Sequence, residues 1–179
     1  MTDLNGKKIA IIATDNFEEA ELVTPRDELT KAGADVKVYS MSTDRIQAVE
    51  GDTEPTQKID VDGTFGDLDV STVDAVIVPG GTVNSDHIRV DEDAQQIVRE
   101  AYETDKVLAV ICHGPWVLIN AGIAEGRRLT SYHSLSLDLK NAGATWVDEE
   151  VVVDGKLITS RNPDDLPAFV EAISEALVS

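Results

Sequence analysis

A chain of 179 residues, 42% of them hydrophobic, can bury the core of one folded domain, which excludes intrinsic disorder. Its 34 acidic residues exceed its 15 basic residues and give a net charge of −19, which excludes nucleic acid and membranes as expected partners. The single cysteine cannot form an internal disulfide, and neither a secretory leader nor a run of transmembrane length is evident. We therefore expect one cytoplasmic domain over residues 1–179.

The acidic residues are spread along the whole chain rather than gathered in one tail. High salt screens the repulsion among such charges. The distribution therefore favours adaptation to high salt, with an acid-rich protein from a moderate habitat as the alternative.

In chain order, the hydrophobic pattern predicts strands that alternate with helices. Strands are predicted over 8–13, 35–40, 74–78, 107–111, 151–153 and 157–160, and a hairpin or strand pair over 46–61 with its turn at 51–52. Helices are predicted over 18–32, 91–104, 116–121, 134–142 and 163–177, with residues 82–89 as a loop. Pro25 should kink or divide the first helix. This alternation predicts an α/β fold in which helices cover both faces of a parallel sheet.

Cys112 lies where a buried strand, Val107–Ile111, turns sharply into a helix at Gly114 and Pro115. A cysteine at such a corner lies beside a helix N-terminus, which favours the thiolate that attacks carbonyl groups. A lone cysteine after an apolar strand can instead be a small buried hydrophobe. His113 and the Gly-Pro turn favour a nucleophile elbow, because a core cysteine needs neither.

Loops after two other strands should meet Cys112, since the carboxyl ends of parallel strands share one edge of the sheet. The loop after Ala13 carries Glu18, Glu19 and Glu21. At the corner Glu18 could reach the sulfur while Glu19 and Glu21 face elsewhere, or all three could simply lie in the first turn of a helix and stabilise its dipole. The residues alone do not choose among them.

The loop after the strand at 74–78 contains Gly80 and Gly81, which leave backbone N–H groups open. The amides of Gly81 and His113 could form an oxyanion hole beside Cys112, and the His113 ring could act as general base and acid. Neither the spacing of metal ligands nor a nucleotide-binding glycine motif is present, so we expect no metal and no cofactor.

Five stretches, in their order along the chain, resemble the PfpI family of intracellular cysteine proteases and deglycases. They are residues 16–22 (NFEEAEL), 78–81 (VPGG), 109–116 (AVICHGPW), 130–134 (TSYHS) followed by Asp138-Leu139, and 157–167 (LITSRNPDDLP). The resemblance implies a flavodoxin-like three-layer sandwich with a mostly parallel sheet and a nucleophile elbow, shared with the class I glutamine amidotransferases.

The same resemblance implies roles for individual residues. Cys112 matches the nucleophile, and Glu18, directly after Phe17, matches the acid that contacts it. His113 matches the base, and the amides of Gly81 and His113 match the oxyanion hole.

Three further positions are compared with the family in the same way. In the family an acidic residue from a neighbouring subunit reaches the histidine, and Asp86 fits that role when its loop is one residue longer than the common pattern. Tyr132 matches a tyrosine near the substrate pocket. The next residue, His133, departs from the usual proline, so contacts with substrate are expected to differ there.

These observations predict a cysteine hydrolase that acts on the carbonyl carbon of a peptide or a small carbonyl compound. Peptidase, deglycase and glyoxalase-type reactions all begin with the same attack by Cys112. The alternative is a redox sensor or stress chaperone in which Cys112 is oxidised rather than catalytic. The resemblance also implies a homo-oligomer, either a dimer or a hexamer.

Overall fold

The computed structural model describes residues 2–179, in which strands and helices alternate for most of the chain. The strands are β1 (Lys8–Ile12), β2 (Phe17–Glu18), β3 (Asp35–Ser40), β4 (Ile46–Glu50), β5 (Glu54–Ile59), β6 (Gly63–Thr64), β7 (Ala75–Val78), β8 (Val107–Ile111), β9 (Arg128–Leu129), β10 (Thr145–Trp146), β11 (Val151–Asp154) and β12 (Leu157–Ser160). The helices are α1 (Glu19–Lys31), α2 (Thr82–Val90), α3 (Glu92–Glu103), α4 (Trp116–Asn120), α5 (Ser136–Asn141) and α6 (Leu166–Val178).

The main sheet has seven strands in the order β11-β12-β8-β7-β1-β3-β6. Its pairs are parallel except for the hairpin of β11 and β12 at one edge. The strands β1, β7 and β8 are almost entirely buried, as their continuous apolar sequences require of strands covered on both faces.

Helices cover both faces of this sheet and complete three layers. On one face, Leu22 and Leu29 of α1 and Phe169 and Ile173 of α6 join the apolar cluster. On the other face, a second cluster takes its helical residues from α2 to α5. The predicted α/β sandwich is therefore confirmed. None of the helices in residues 2–179 has the length and apolar character that spanning a bilayer requires.

The structure contradicts one local prediction and one of the two alternatives in a second. Residues 82–90 form helix α2 instead of a loop, because its buried face carries Asn84 and Ser85 beside Ile88 and so hides the apolar helical pattern. The first helix is not divided at Pro25, which lies buried inside an unbroken α1.

The fold brings three loops together at one edge of the sheet, because β1, β7 and β8 are neighbours. A fourth segment joins them. The predicted hairpin of β4 and β5 is present and pairs through β4 with β2, which places its turn near the same edge. Residues after four separate strands can thus meet at one site.

Candidate active site

Cys112 lies at the strained corner between β8 and α4. Its φ angle is +63°, a conformation that costs a non-glycine residue about 1–3 kcal/mol. Hydrogen bonds hold it there, from Cys112 N–H to Ser160 O at 3.1 Å and from Tyr132 N–H to Cys112 O at 2.8 Å. A side chain at Gly114 would clash, since a Cβ there would lie 2.9 Å from Ile111 O. The corner has the geometry of a nucleophile elbow.

This corner also turns the His113 ring toward the sulfur, although adjacent side chains in a strand point apart. Cys112 Sγ lies 3.3 Å from His113 Nδ1. The ring stacks on Tyr132 at 4.7 Å, meets Trp116 edge-on at 5.4 Å, and places Nε2 3.4 Å from Ser134 Oγ. The ring is therefore held on several sides with one nitrogen at the nucleophile.

The His113 ring favours the neutral form. Burial lowers the pKa of His113 from its ordinary value, and the charge of Asp52 opposes that shift. A neutral imidazole with an unprotonated Nδ1 can accept the proton of the thiol.

The acid beside Cys112 is Glu21, and the prediction of Glu18 for this position was wrong. The Glu18 carboxylate instead accepts hydrogen bonds from the backbone N–H groups of Gly51 and Asp52, at 3.0 and 3.1 Å. Because Glu18 still belongs to strand β2, its side chain faces the hairpin. The third acid, Glu19, accepts a hydrogen bond from Gln57 Nε2 at 3.1 Å.

Helical periodicity could have identified Glu21 from the sequence. The buried face of α1 contains Glu21, Leu22, Pro25 and Leu29, which share one side of a helix. Glu21 is therefore the acid that a helix starting at Glu19 turns inward.

The Glu21 carboxyl is buried and neutral at pH 7. Burial raises its pKa to about 8, while the Gly80 amide and Cys112 oppose that shift. Oε2 accepts a hydrogen bond from Gly80 N–H at 2.7 Å, whereas Oε1 has no hydrogen-bond partner within residues 2–179. The proton of the neutral acid is therefore best carried on Oε1.

The backbone amides of Gly81 and His113 lie close enough to the Cys112 sulfur to lower the pKa of its thiol, although burial outweighs them. Gly81 has a φ angle of +87°, which a glycine adopts without strain. Both amides predicted for an oxyanion hole are thus near the sulfur, and their role as that hole remains a prediction.

Burial of the sulfur works against the thiolate that the sequence led us to expect. Burial raises the pKa of the Cys112 thiol, the neighbouring Glu21 raises it further, and the amides of Gly81 and His113 only partly offset this. Helix α4 begins only at Trp116 and has five residues, so its dipole does little at the sulfur. The site is built as a neutral thiol beside a neutral imidazole.

Asp86 and Tyr132 lie in different surroundings. Tyr132 is half-buried against the His113 ring, as a residue near the substrate would be. Asp86 is exposed on α2 and makes no hydrogen bond to His113 within residues 2–179. Its role in catalysis remains a prediction.

Asp52 is a site residue that the sequence did not reveal. From the tip of the β4–β5 hairpin it accepts hydrogen bonds from Thr82 N–H at 2.7 Å and Thr82 Oγ1 at 2.9 Å. It thereby joins the hairpin to the start of α2, a pairing between distant segments that no local pattern indicates. Within residues 2–179, no three His, Cys, Asp or Glu side chains are grouped as ligands for a metal ion.

Comparisons with known proteins point to one family. The DJ-1/PfpI family model matches residues 7–176. The chain is 38% identical over 170 residues to Deglycase TK1284 of Thermococcus kodakarensis, covering 95% of this chain and 99% of that protein. It is 39% identical over 166 residues to Protein/nucleic acid deglycase 2 of Escherichia coli, covering 92% and 94%.

A solved structure from Anabaena variabilis is also similar. It is a two-domain protein with DJ-1/ThiJ/PfpI-like and ferritin-like domains, with a TM-score of 0.90 and 37% identity. The match covers 96% of this chain and 48% of that one, so the chain spans about half of the two-domain protein.

Proposed function

Because this chain belongs to the DJ-1/PfpI family, we propose that it is a cysteine-dependent deglycase that removes aldehyde-derived adducts from proteins. The observation that carries the proposal is the 3.3 Å contact between Cys112 Sγ and the His113 ring, at an elbow lined by two amides. The relatives from T. kodakarensis and E. coli are named as deglycases, which supports this reaction.

The first step follows from the positions of these groups. Cys112 Sγ attacks the carbonyl carbon of the adduct while the thiol proton passes to His113 Nδ1. The carbonyl oxygen gains the negative charge, and the amides of Gly81 and His113 stabilise it. Neutral Glu21 adds no negative charge beside the sulfur, so it does not oppose the step.

Protein-bound adducts fit the surface of this chain better than adducts on nucleic acid. The E. coli relative is named for both substrates. The 15 basic residues against 34 acidic ones leave few cations to pair with phosphates, however, so we propose proteins and small dicarbonyl compounds as substrates. The acidic surface and the single free thiol also support a cytoplasm of high salt as the setting.

We further propose that the active form is a homo-oligomer in which Asp86 of one subunit approaches His113 of the next. The exposure of Asp86 supports this, because its carboxylate is open to a neighbour. A charged partner at Nε2 would favour the imidazolium that forms when Nδ1 takes the thiol proton.

The test is turnover of three substrates at pH 7 by the purified protein and by its Cys112→Ser variant. The substrates are a methylglyoxal-modified protein, methylglyoxal itself and an unmodified peptide. We expect release of free amine from the modified protein, reduced by at least about 10²-fold in the variant. If the wild type turns over none of the three while peroxide readily oxidises Cys112, the proposal fails and the redox role is favoured.

A further inference from the structure

Asn84 is buried in α2 and hydrogen-bonds to two loops of the site. Its side chain is 0% exposed. Nδ2 donates to Pro79 O at 3.1 Å and to Gly80 O at 2.9 Å. Oδ1 accepts from Thr14 N–H at 2.7 Å and from Thr14 Oγ1 at 3.1 Å. All four hydrogen-bonding positions of the amide are thus used, as a buried amide requires.

The bond to Gly80 O determines which way the next amide points. Within residues 2–179 every peptide bond is trans, so the carbonyl of Gly80 and the N–H of Gly81 point in opposite directions. Gly80 O also accepts from Glu18 N–H, at 3.3 Å. Holding the carbonyl on the side of Asn84 therefore turns the Gly81 N–H toward Cys112.

A peptide between two glycines needs such a restraint. Neither Gly80 nor Gly81 has a Cβ, so rotation of the peptide between them meets little steric resistance. A reversed peptide would direct its carbonyl oxygen at the sulfur and remove one donor from the oxyanion hole. The only side-chain donor to Gly80 O within residues 2–179 is Asn84.

We propose that Asn84 is a positioning residue that holds the Gly80–Gly81 peptide with its N–H directed at the developing oxyanion. The inference rests on the proposed function, in which that N–H stabilises the transition state. In this role the Asn84 Nδ2 orients the peptide. The Asn84 Oδ1 accepts hydrogen bonds from Thr14 and so connects α2 to the loop after β1.

The test compares Asn84→Ala and Asn84→Leu with Thr14→Val as the matched control. The alanine variant loses all four bonds, and leucine fills a similar volume without any group that can donate or accept. Thr14→Val removes the hydroxyl, which contacts Asn84 Oδ1 at 3.1 Å and Asp15 O at 3.4 Å, and leaves both Nδ2 bonds in place. We expect both Asn84 variants to lower kcat by about 10²-fold with KM nearly unchanged, and Thr14→Val to retain kcat.

The pKa of Cys112, measured from thiolate absorbance and alkylation rate, separates this role from a merely structural one. Because the Gly81 N–H lowers that pKa, reversal of the peptide should raise it in both Asn84 variants and not in Thr14→Val. This readout needs no turnover, so it tests the peptide even if the proposed function is wrong. Normal kcat and thiol pKa in folded Asn84 variants, or failure of both variants to fold, would overturn the proposal.

Discussion

The Glu21 carboxyl lies beside the Cys112 sulfur, and burial raises the pKa of both groups. A side chain on Gly80 would lie 2.5 Å from Glu21 Oε2 and 3.1 Å from Cys112 Sγ, which shows how closely the two converge. Two anions at this distance in a buried site would repel strongly. The pair therefore does not carry two negative charges, and burial favours the protonated form of each group.

The first prediction concerns the pH dependence of activity. His113 must be neutral to accept the thiol proton, so kcat/KM should rise as pH increases through the pKa of His113, which burial lowers. Activity should fall again near pH 8 as Glu21 ionises and places a negative charge beside the oxyanion. In Glu21→Gln this alkaline limb should disappear, because the amide stays neutral. A pH–rate profile of wild type and variant measures it.

Glu18→Gln is the matched control for that profile. Glu18 binds the hairpin turn at Gly51 and Asp52, so Glu18→Gln should keep the alkaline limb, moved toward lower pH because the Glu18 charge helps to raise the pKa of Glu21. A limb that vanishes in Glu18→Gln and persists in Glu21→Gln would contradict the assignment of the acid.

The second prediction concerns stability. Glu21 has its pKa raised from 4.5 to about 8, so between these values the folded state holds a proton that the unfolded state has released. The free energy of unfolding should fall as pH rises through this window, by about 1.4 kcal/mol per pH unit for one proton. The stabilisation is complete below pH 4.5 and lost above about pH 8.

The difference in unfolding free energy between wild type and Glu21→Gln isolates this effect, since other titrating groups cancel. Urea denaturation at constant salt from pH 5 to pH 9 supplies it. Parallel curves for the two proteins would mean that Glu21 titrates normally in the folded state.

The third prediction uses two glycines. In Gly80→Ala the new Cβ would lie 2.5 Å from Glu21 Oε2 and 2.6 Å from Cys112 Cβ, so one of these groups must move. We expect activity to fall by about 10²-fold or more, since small displacements of reacting groups have effects of that size. In Gly66→Ala the nearest atom would be Thr64 Oγ1 at 3.9 Å, and activity should be retained. Equal activity in both variants would contradict the close packing at Gly80.

The sequence was sufficient for the sheet and the elbow because these depend on local patterns. Continuous apolar runs identified β1, β7 and β8, and the Gly-Pro turn identified the corner at Cys112. The orientation of groups at the site depends on contacts between distant segments instead. The polar Asn84 on the buried face of α2 obscured the apolar pattern of that helix. The pairing of Phe17–Glu18 with β4 directs the Glu18 side chain away from the sulfur.

The burial of the nucleophile also depends on contacts between distant segments. A helix N-terminus and free amides are visible in the sequence and favour a thiolate, whereas the loss of solvent around Cys112 is not visible. Because Cys112 is only 6% exposed, desolvation exceeds those favourable terms. Burial at a corner where several loops converge follows from the tertiary structure alone.

The last prediction tests Asp86 across a subunit interface. Asp86→Asn and Cys112→Ala should each be inactive alone: the first lacks the acid for every His113, and the second lacks the nucleophile. If Asp86 acts in a neighbouring subunit, mixing the two variants after dissociation creates sites with an intact Cys112 facing an intact Asp86. In a randomly reassorted dimer about a quarter of wild-type activity should return.

Asp93→Asn mixed with Cys112→Ala is the control, because Asp93 is an exposed acid on α3 whose loss should leave the starting activity near that of wild type. Activity is measured against molecular mass across a salt series, since low salt leaves the repulsion between subunits of net charge −19 unscreened. Loss of activity should then accompany dissociation. If a monomer is fully active, the catalytic acid lies within one subunit or is not needed. If a confirmed mixed oligomer recovers no activity, Asp86 does not act across the interface.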